Sequence, residues 1–569
     1  MLLLFTSALL FIFLAYVFGS YFSIIVHRLT RQVEQQSSHL LTFLLGFIFL
    51  GAYFNAWSFF WEVDFLSIVT LAIISVFVLR NAAVILQFKC LKKTIFALGQ
   101  RKMLPVILPV FVLIFLFAII PPQHGDSGSY HFMSIRWIEE FKVIPGLANL
   151  HGRFGFNSSF FVSSAAFSFS KIFDQSLYTI NIAVAFVFYL WLINKIYHYR
   201  NTLWAIAYLF IVIILFRSLL ISVSSPSPDI LSSVLVLYLC IDFAERAILK
   251  SPLSTTHTIK QLWLVAFALT IKLSAIGLLP LAALLFIEIK WKKHLLMLTT
   301  FGTVVILCPW LIRNYILTGY LIYPASFTGI FSPDWKVPFE ILNFDRLLIN
   351  NGPKLISEDW EIADKMPFWK WFPLWIEGNF RTGLAFSLSI LGTAVACLLF
   401  GIFKTITRKD FKMILIFIAI LLGIIFWLIN SPDYRFGYAY IIAGIGCVLL
   451  YFLKGKKNNQ LLYVTSIIIL FAASGYYATR AIRHLEGYSI AKYWLKPMPS
   501  SVFRLPHKIS TYQYRMLNND TKLYIEDSLH NWNLVPLPAY MDFGPGITAD
   551  NIELLGSKIE DGFRIKKKL

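Results

Sequence analysis

Long apolar runs alternate along this chain with short polar connectors. Residues 103–120, 203–222, 411–430 and 461–477 each approach the roughly 20 residues that a helix needs to cross the hydrocarbon of a bilayer. Only self-satisfied helices are stable there, so the pattern predicts an all-α, polytopic transmembrane helical bundle. Spans are expected near 2–24, 39–60, 65–87, 103–120, 178–195, 203–222, 229–247, 261–274, 275–289, 295–312, 384–403, 411–429, 437–453 and 461–480. That is about 14 spans, with both termini outside. Between Gln261 and Ile289 both members are short and Pro280 interrupts the second, so half-helices or a tilted hairpin serve equally well.

Three segments are too long to be connectors: 121–177, 324–383 and the tail. The domain reading is therefore N-terminal transmembrane helices over 1–102 and a transmembrane module over 103–480 with outside loops 121–177 and 324–383. A small extracytoplasmic α+β domain over 481–569 completes it. The tail loses the continuous apolar character, has a strand-like piece at 522–526 and a Pro/Gly-rich turn at 536–546, and is expected to pack on the membrane domain.

Composition agrees with this reading, since 58% of the 569 residues are hydrophobic and only 14% charged, too apolar for a soluble domain. A net charge of +20 invites nucleic acid, but the Lys and Arg residues cluster in short loops, around Arg28, Lys92, Arg200, Lys250, Lys292, Lys409 and Lys456. That distribution is an orientation signal placing those loops in the cytoplasm and excluding a nucleic-acid partner. None of the five cysteines lies in a long outside loop, so no disulfide framework is implied. The first apolar segment lacks a basic n-region and a small-residue cleavage site, and is expected to be a retained helix.

The sharpest polar segment is Pro-Pro-Gln-His-Gly-Asp-Ser-Gly-Ser-Tyr-His, 121–131. Two prolines end a span and two glycines allow a tight turn, which holds Asp126 just outside the bilayer. In 131–142, Phe132, Ile135, Ile138 and Phe141 recur every third position, predicting an amphipathic helix in the interface. A carboxylate at its start is either a helix cap or a general base on an acceptor hydroxyl. The polar cluster around it, with Tyr130 and His131, favours chemistry. His124, His131 and His151 share the loop at spacings that match no standard ligand motif, so a divalent metal is the minority reading beside hydrogen bonding or packing.

Cations at the outer edge form a second set. Pro309-Trp310-Leu-Ile-Arg313-Asn314-Tyr315, with Gly319, Tyr320, Tyr323 and Pro324, ends a span and offers Arg313 and Asn314 to a phosphate; the alternative is an arginine snorkelling to the interface. Ser431-Pro432-Asp433-Tyr434-Arg435-Phe436-Gly437 offers Arg435 as a second clamp, or an Asp433–Arg435 structural pair. Lys272 interrupts an apolar run and should face a cavity, a partner or an anion. Arg153, in the first outside loop, joins this phosphate-binding set. Phe368, Trp369, Trp371, Phe372, Trp375 and Phe380 read as an interfacial aromatic belt ahead of a sugar-stacking surface.

At these residues the chain resembles the GT-C superfamily of polytopic glycosyltransferases, which use polyprenyl-phosphate-linked sugars. Asp126 and the helix from His131 are similar to the acidic residue and interfacial helix in the family's first large outside loop, and 309–324 is similar to a Pro-Trp, Arg-Asn, Gly, Tyr-Pro series in many bacterial members. The resemblance spans about 103–477. The chain departs from the family in having one aspartate where many members have an Asp/Glu pair, and about three spans before the loop where one is usual. The resemblance implies a bacterial inner-membrane transferase with its functional loops on the periplasmic side. It would move a sugar from a polyprenyl phosphate to an envelope glycan, lipid or protein, with Asp126, His131 and Tyr130 catalytic and no certain cofactor. A polysaccharide polymerase or ligase would use the same chemistry. A flippase for lipid-linked sugars should instead carry midplane polar residues and internal repeats, and no repeat is evident.

Overall fold

In a computed structural model, the structure describes residues 2–31, 37–99, 103–120, 122, 125–173, 176–251, 254–287, 292–354, 359–381, 384–485, 513–518, 520–525, 536–540 and 548–566. Helices α1 (Leu2–Thr30) and α2 (His39–Trp57) pair closely. Gly19 meets Thr42 and Gly46 meets Ala15, so the two helices run antiparallel with their backbones in contact; a Cβ at Gly46 would lie 1.7 Å from the Ala15 carbonyl oxygen. The span expected at 65–87 is two helices, α3 (Phe65–Val78) and α4 (Ala82–Leu98), which meet at 99°. The Asn81 side chain caps α4 by accepting from the Ala83 N–H, which fixes the break. α5 (Leu104–Ile119) follows.

The first long loop folds as a π-helical turn (Ser127–His131), α6 (Phe132–Glu140), two 3-10 turns, α7 (Ser159–Ala166) and α8 (Ser170–Phe173). α6 does not lie on a surface: Met133, Ser134, Ile135, Trp137, Ile138 and Glu139 are all buried. The reason is that it bridges two cores. Ile135 and Ile138 enter the large helical core, while Met133 and Trp137 enter a second core built from the long loops and the tail.

The bundle continues with α9 (Ile180–His198), α10 (Trp204–Leu219), α11 (Asp229–Ile248) and α12 (Thr255–Ile271). The uncertain pair around Pro280 resolves as the end of α12, a 3-10 segment (Leu273–Leu278) and the short α13 (Leu279–Ile287). Then come α14 (Lys293–Thr318), α15 (Phe339–Asn351), α16 (Trp360–Lys365), α17 (Phe368–Arg381), α18 (Ala385–Thr407), α19 (Phe411–Asn430), α20 (Tyr434–Leu453) and α21 (Gln460–Leu485). Among the described residues eight helices are long and apolar enough to cross a membrane, or nine if α3 and α4 count as one broken span. The reading of about 14 spans also counted the shorter α5, α10, α12 and α13 and the charge-bearing α11.

α11 and α20 form the centre, and both are almost wholly buried. The connectors that follow α9, α11, α18 and α20 gather at one end. There the Leu203 N–H donates to the Lys456 carbonyl, Lys454 to the Ile248 carbonyl, and Arg408 lies over the rings of Tyr451 and Phe452. The basic connectors around Arg200, Lys250, Lys409 and Lys456 therefore share one end, and the long loops occupy the other.

Of the tail after Leu485, the described residues form a three-stranded sheet, β1 (Gln513–Met516) antiparallel to β2 (Lys522–Ile525) and β2 parallel to β3 (Ala539–Tyr540), and a hairpin of β4 (Ile552–Leu554) and β5 (Phe563–Ile565). They hold strands and 3-10 turns and no α-helix, so the α+β expectation is met on its strand side alone; most of the turn at 536–546 lies outside the described residues. The tail packs on the first loop. The Phe563 N–H donates to the Pro145 carbonyl at 2.9 Å, and Asn149 Nδ2 donates to the Phe563 carbonyl at 3.1 Å.

Candidate functional site

Asp126 stands in the turn that leads into α6. It makes no side-chain cap to the π-helical residues behind it, so the cap reading is not the one realised. Its carboxylate instead meets two arginines. Arg435 Nη1 donates to Oδ2 at 2.9 Å, and Arg153 Nη1 lies 3.4 Å from Oδ1. Inserted π turns of this kind re-aim side chains in helices and recur at functional sites.

The neighbours are fixed by local capping. Ser127 Oγ pairs with Ser225 Oγ, and Asn181 Nδ2 donates to the carbonyls of Ser225 and Ser227 at 2.7 and 2.8 Å, which holds the Ser-Pro-Ser-Pro-Asp turn that starts α11. Asp229 is thereby delivered beside Asp126 and ion-pairs with Lys272. Lys272 reaches it because α12 ends at Ile271: the lysine backbone is extended (φ −158°, ψ 132°), and Ser158 Oγ donates to the freed Ile271 carbonyl. The lysine ammonium also sits 3.5 Å from the centre of the Phe436 ring.

Asp433 pins the arginine. Its Oδ1 accepts from the Arg435 backbone N–H at 2.9 Å, and its Oδ2 from Nε and Nη2 at 2.9 and 2.8 Å, so the structural Asp433–Arg435 pair is formed, and the remaining guanidinium arm, Nη1, faces Asp126. The result is a chain of three carboxylates (Asp126, Asp229, Asp433) and three cations (Arg153, Lys272, Arg435).

Asp126 and Lys272 line a cavity of about 300 Å³ whose walls are mostly apolar and aromatic, including Phe156, Trp310, Tyr323, Trp427 and Phe436. Asn314 also lines it; its Nδ2 is buried and has no hydrogen-bond partner among the described residues, which leaves it a donor for a bound ligand or a water. Tyr130 lines the cavity too, with Arg153 over its ring at 5.2 Å, and burial raises its phenol well above the ordinary range.

Arg153 and Arg435 do not line this cavity and reach it through Asp126, and two further expected residues are elsewhere. Arg313 is buried, lies outside this cavity, and spends Nε on Asn157 Oδ1 at 3.0 Å and Nη1 on Ser58 Oγ at 2.8 Å, tying α14 to the first loop and the end of α2. One helical position separates it from Asn314, and that 100° rotation sends one side chain to the cavity and the other to the loop. His131 is also buried behind the wall, with its ring 5.2 Å from that of Phe161. The α17 rings do not line the cavity either: Trp375 packs behind it on Trp427 and Tyr434, and Trp369 faces outward.

Among the described residues no three His, Cys, Asp or Glu side chains converge to hold a metal ion; His124 lies outside the described residues. His151 is buried against Phe154, accepts the Arg153 backbone N–H, and is pushed down to about 3 by burial.

Sequence reasoning passed over Asp229, Arg346 and Asp345. Asp229 had a signal: Ser227-Pro228-Asp229 repeats the Ser431-Pro432-Asp433 triplet at the start of another helix. Arg346 lines the cavity from α15 and pairs with Asp364 at 3.1 Å. Asp345 supports it from behind, accepting the Tyr323 hydroxyl at 2.6 Å, and burial pushes its carboxyl up to about 6.

A family model described as Domain of unknown function (DUF8201) matches residues 1–442, so the chain belongs to that family. The match takes in every member of the ion-pair chain and stops before α21 and the tail. No curated protein and no solved structure matches the chain.

Proposed function

We propose that this chain is an integral-membrane glycosyltransferase that moves a sugar from a polyprenyl phosphate to an acceptor hydroxyl at the non-cytoplasmic face. One observation carries the reading: a carboxylate, Asp126, stands at the charged rim of an apolar-walled cavity beside Lys272, with Arg435 bonded to it. Apolar walls suit an isoprenoid chain, and adjacent fixed cations suit its phosphate. The cavity lies at the end of the bundle away from the basic loops, which the positive-inside rule assigns to the cytoplasm.

In this reaction the acceptor oxygen attacks the anomeric carbon as the bond from that carbon to the phosphate oxygen breaks. The electron pair departs with the phosphate, whose growing charge Lys272 and Arg435 stabilise. The acceptor proton passes to Asp126. The two arginines hold Asp126; a phosphate competing for Arg435 would loosen that grip and leave the carboxylate more basic. Asn314 and Arg346 supply donors to the sugar, and Tyr130 orients the acceptor. A polymerase or ligase acting on a longer acceptor would use the same groups.

The test is consumption of an undecaprenyl-phosphate-linked hexose by purified protein in liposomes, with the envelope fraction of its own cells as acceptor source. Asp126→Asn should slow consumption by about 100-fold or more while size-exclusion profile and thermal midpoint stay those of the parent. Full activity in a folded Asp126→Asn protein rejects the assignment.

A further inference from the structure

At the basic end of the bundle lies a second and larger cavity, of about 590 Å³, which the reaction above does not use. Its volume is several times the roughly 150 Å³ of an apolar cavity that admits a benzene ring. Leu9 and Ile12 of α1, Leu91 and Ile95 of α4, and Phe186 and Leu190 of α9 give it an apolar lining. It opens sideways, because Leu9 and Ile95 remain 57% and 51% exposed.

The helix over this cavity is held away from the bundle. α4 leaves α3 at 99°, so it runs across the direction of the spans, and it buries only Val84 and Leu98. Several polar groups of the wall are already engaged with one another: the Tyr16 hydroxyl lies 2.8 Å from His39 Nδ1, and His39 Nε2 lies 3.0 Å from Thr94 Oγ1. Glu245, the one acid on the lining among the described residues, takes Lys195 at 2.6 and 2.8 Å and the hydroxyls of Tyr199 and Tyr208. Such a wall suits hydrocarbon rather than water.

Among the described residues, the exposed ionisable side chains on α4 and at the end of α9, the helices flanking the cavity, are all basic. Lys89, Lys92 and Lys93 on α4 and His198 and Arg200 at the end of α9 are exposed, and neither α4 nor residues 194–204 contain an acid. An apolar slot with a cationic rim at the level of a membrane surface matches a ligand with a hydrocarbon chain and a negative head.

We propose that this cavity holds an acyl chain of an anionic phospholipid from the leaflet at the basic end, with the lipid phosphate between His198 on the lining and the exposed Lys92 that follows Leu91 on α4. The lipid fills the space under α4 and fixes that helix to α1 and α9. This rests on the membrane placement in the preceding reading but not on glycosyl transfer.

Delipidated protein in detergent should bind dioleoylphosphatidylglycerol, seen as a retained adduct in native mass spectrometry and a thermal midpoint raised by roughly 3 °C or more. Dioleoylphosphatidylcholine and inorganic phosphate should leave both readouts unchanged. Leu91→Trp and Leu190→Trp fill the cavity and should abolish the adduct. Should these not fold, the exposed rim substitutions Lys92→Gln with His198→Gln serve instead and should reduce the phosphatidylglycerol effect to the phosphatidylcholine level. Equal effects of the two lipids, or undiminished phosphatidylglycerol binding after filling or neutralising the site, overturn the proposal. Asp126→Asn should bind phosphatidylglycerol like the parent, so failure of this inference and failure of the transferase reading are separable.

Discussion

Arg435 Nη1 lies 2.9 Å from Asp126 Oδ2, joining a turn of the first long loop to the first turn of α20 across 309 positions of sequence. The same guanidinium is gripped by Asp433 through Nε and Nη2. Its planar fork serves two carboxylates at once, which a lysine ammonium does not reproduce. Arg435→Lys should keep the charge and lose the geometry, lowering kcat for donor consumption about 10-fold or more. Asp433→Asn, which loosens the fork without removing it, should give a smaller loss. Steady-state kcat and KM on the lipid-linked hexose check this, and parent-like kcat in Arg435→Lys would argue against a clamp built on that fork.

Much of this arrangement was legible in the sequence because helices and turns announce themselves locally. The Pro-Pro ending of α5 and the polar run behind it located Asp126, and the charge inside an apolar run located Lys272. Which face of a helix a residue takes is less legible. Arg313 and Asn314 are adjacent, yet only Asn314 reaches the cavity, and nothing in the local pattern says which. α6 has the periodicity of a surface helix, but its polar residues Ser134 and Glu139 are buried because the tail and long loops close over it, a tertiary effect with no local signature.

Arg313 should behave as a tether rather than a phosphate ligand. Its guanidinium donates to Asn157 and Ser58 inside the protein. Arg313→Ala removes two charge-assisted hydrogen bonds and should cost roughly 2–4 kcal/mol of stability. The donor KM should stay near the parent value. A parent-like thermal midpoint with a sharply raised KM would return Arg313 to the phosphate site.

Glu139 gives the first loop a pH dependence. It is buried on α6, accepts from Ser176 Oγ at 3.0 and 3.3 Å, and burial pushes its carboxyl up from 4.5 to about 7. The folded state then holds a proton that the unfolded state has released, so the unfolded chain binds fewer protons between these values and stability falls as pH rises through them. Below about pH 4.5 this group imposes no penalty, and above about 7 the penalty is complete. Glu139→Gln removes the titration. Its stability relative to the parent, read from thermal midpoints, should therefore climb from pH 4.5 to 7 and level off, by at most about 3.5 kcal/mol at 1.4 kcal/mol per pKa unit. A constant difference across that range would show that Glu139 does not titrate there.

Gly46 and Gly475 make a matched pair, since both are helical but meet opposite surroundings. A Cβ on Gly46 would lie 1.7 Å from the Ala15 carbonyl oxygen, whereas one on Gly475 in α21 meets nothing within 4 Å. Close backbone approach at small residues is how helices associate where apolar burial gives no advantage over lipid. Gly46→Ala must push α1 and α2 apart, at a cost of about 1–3 kcal/mol. Gly475→Ala should be neutral or stabilising by up to about 1 kcal/mol, because alanine restricts the unfolded helix segment without a clash. Thermal midpoints in detergent separate the two. Equal responses would mean that the α1–α2 contact is looser than a direct backbone packing.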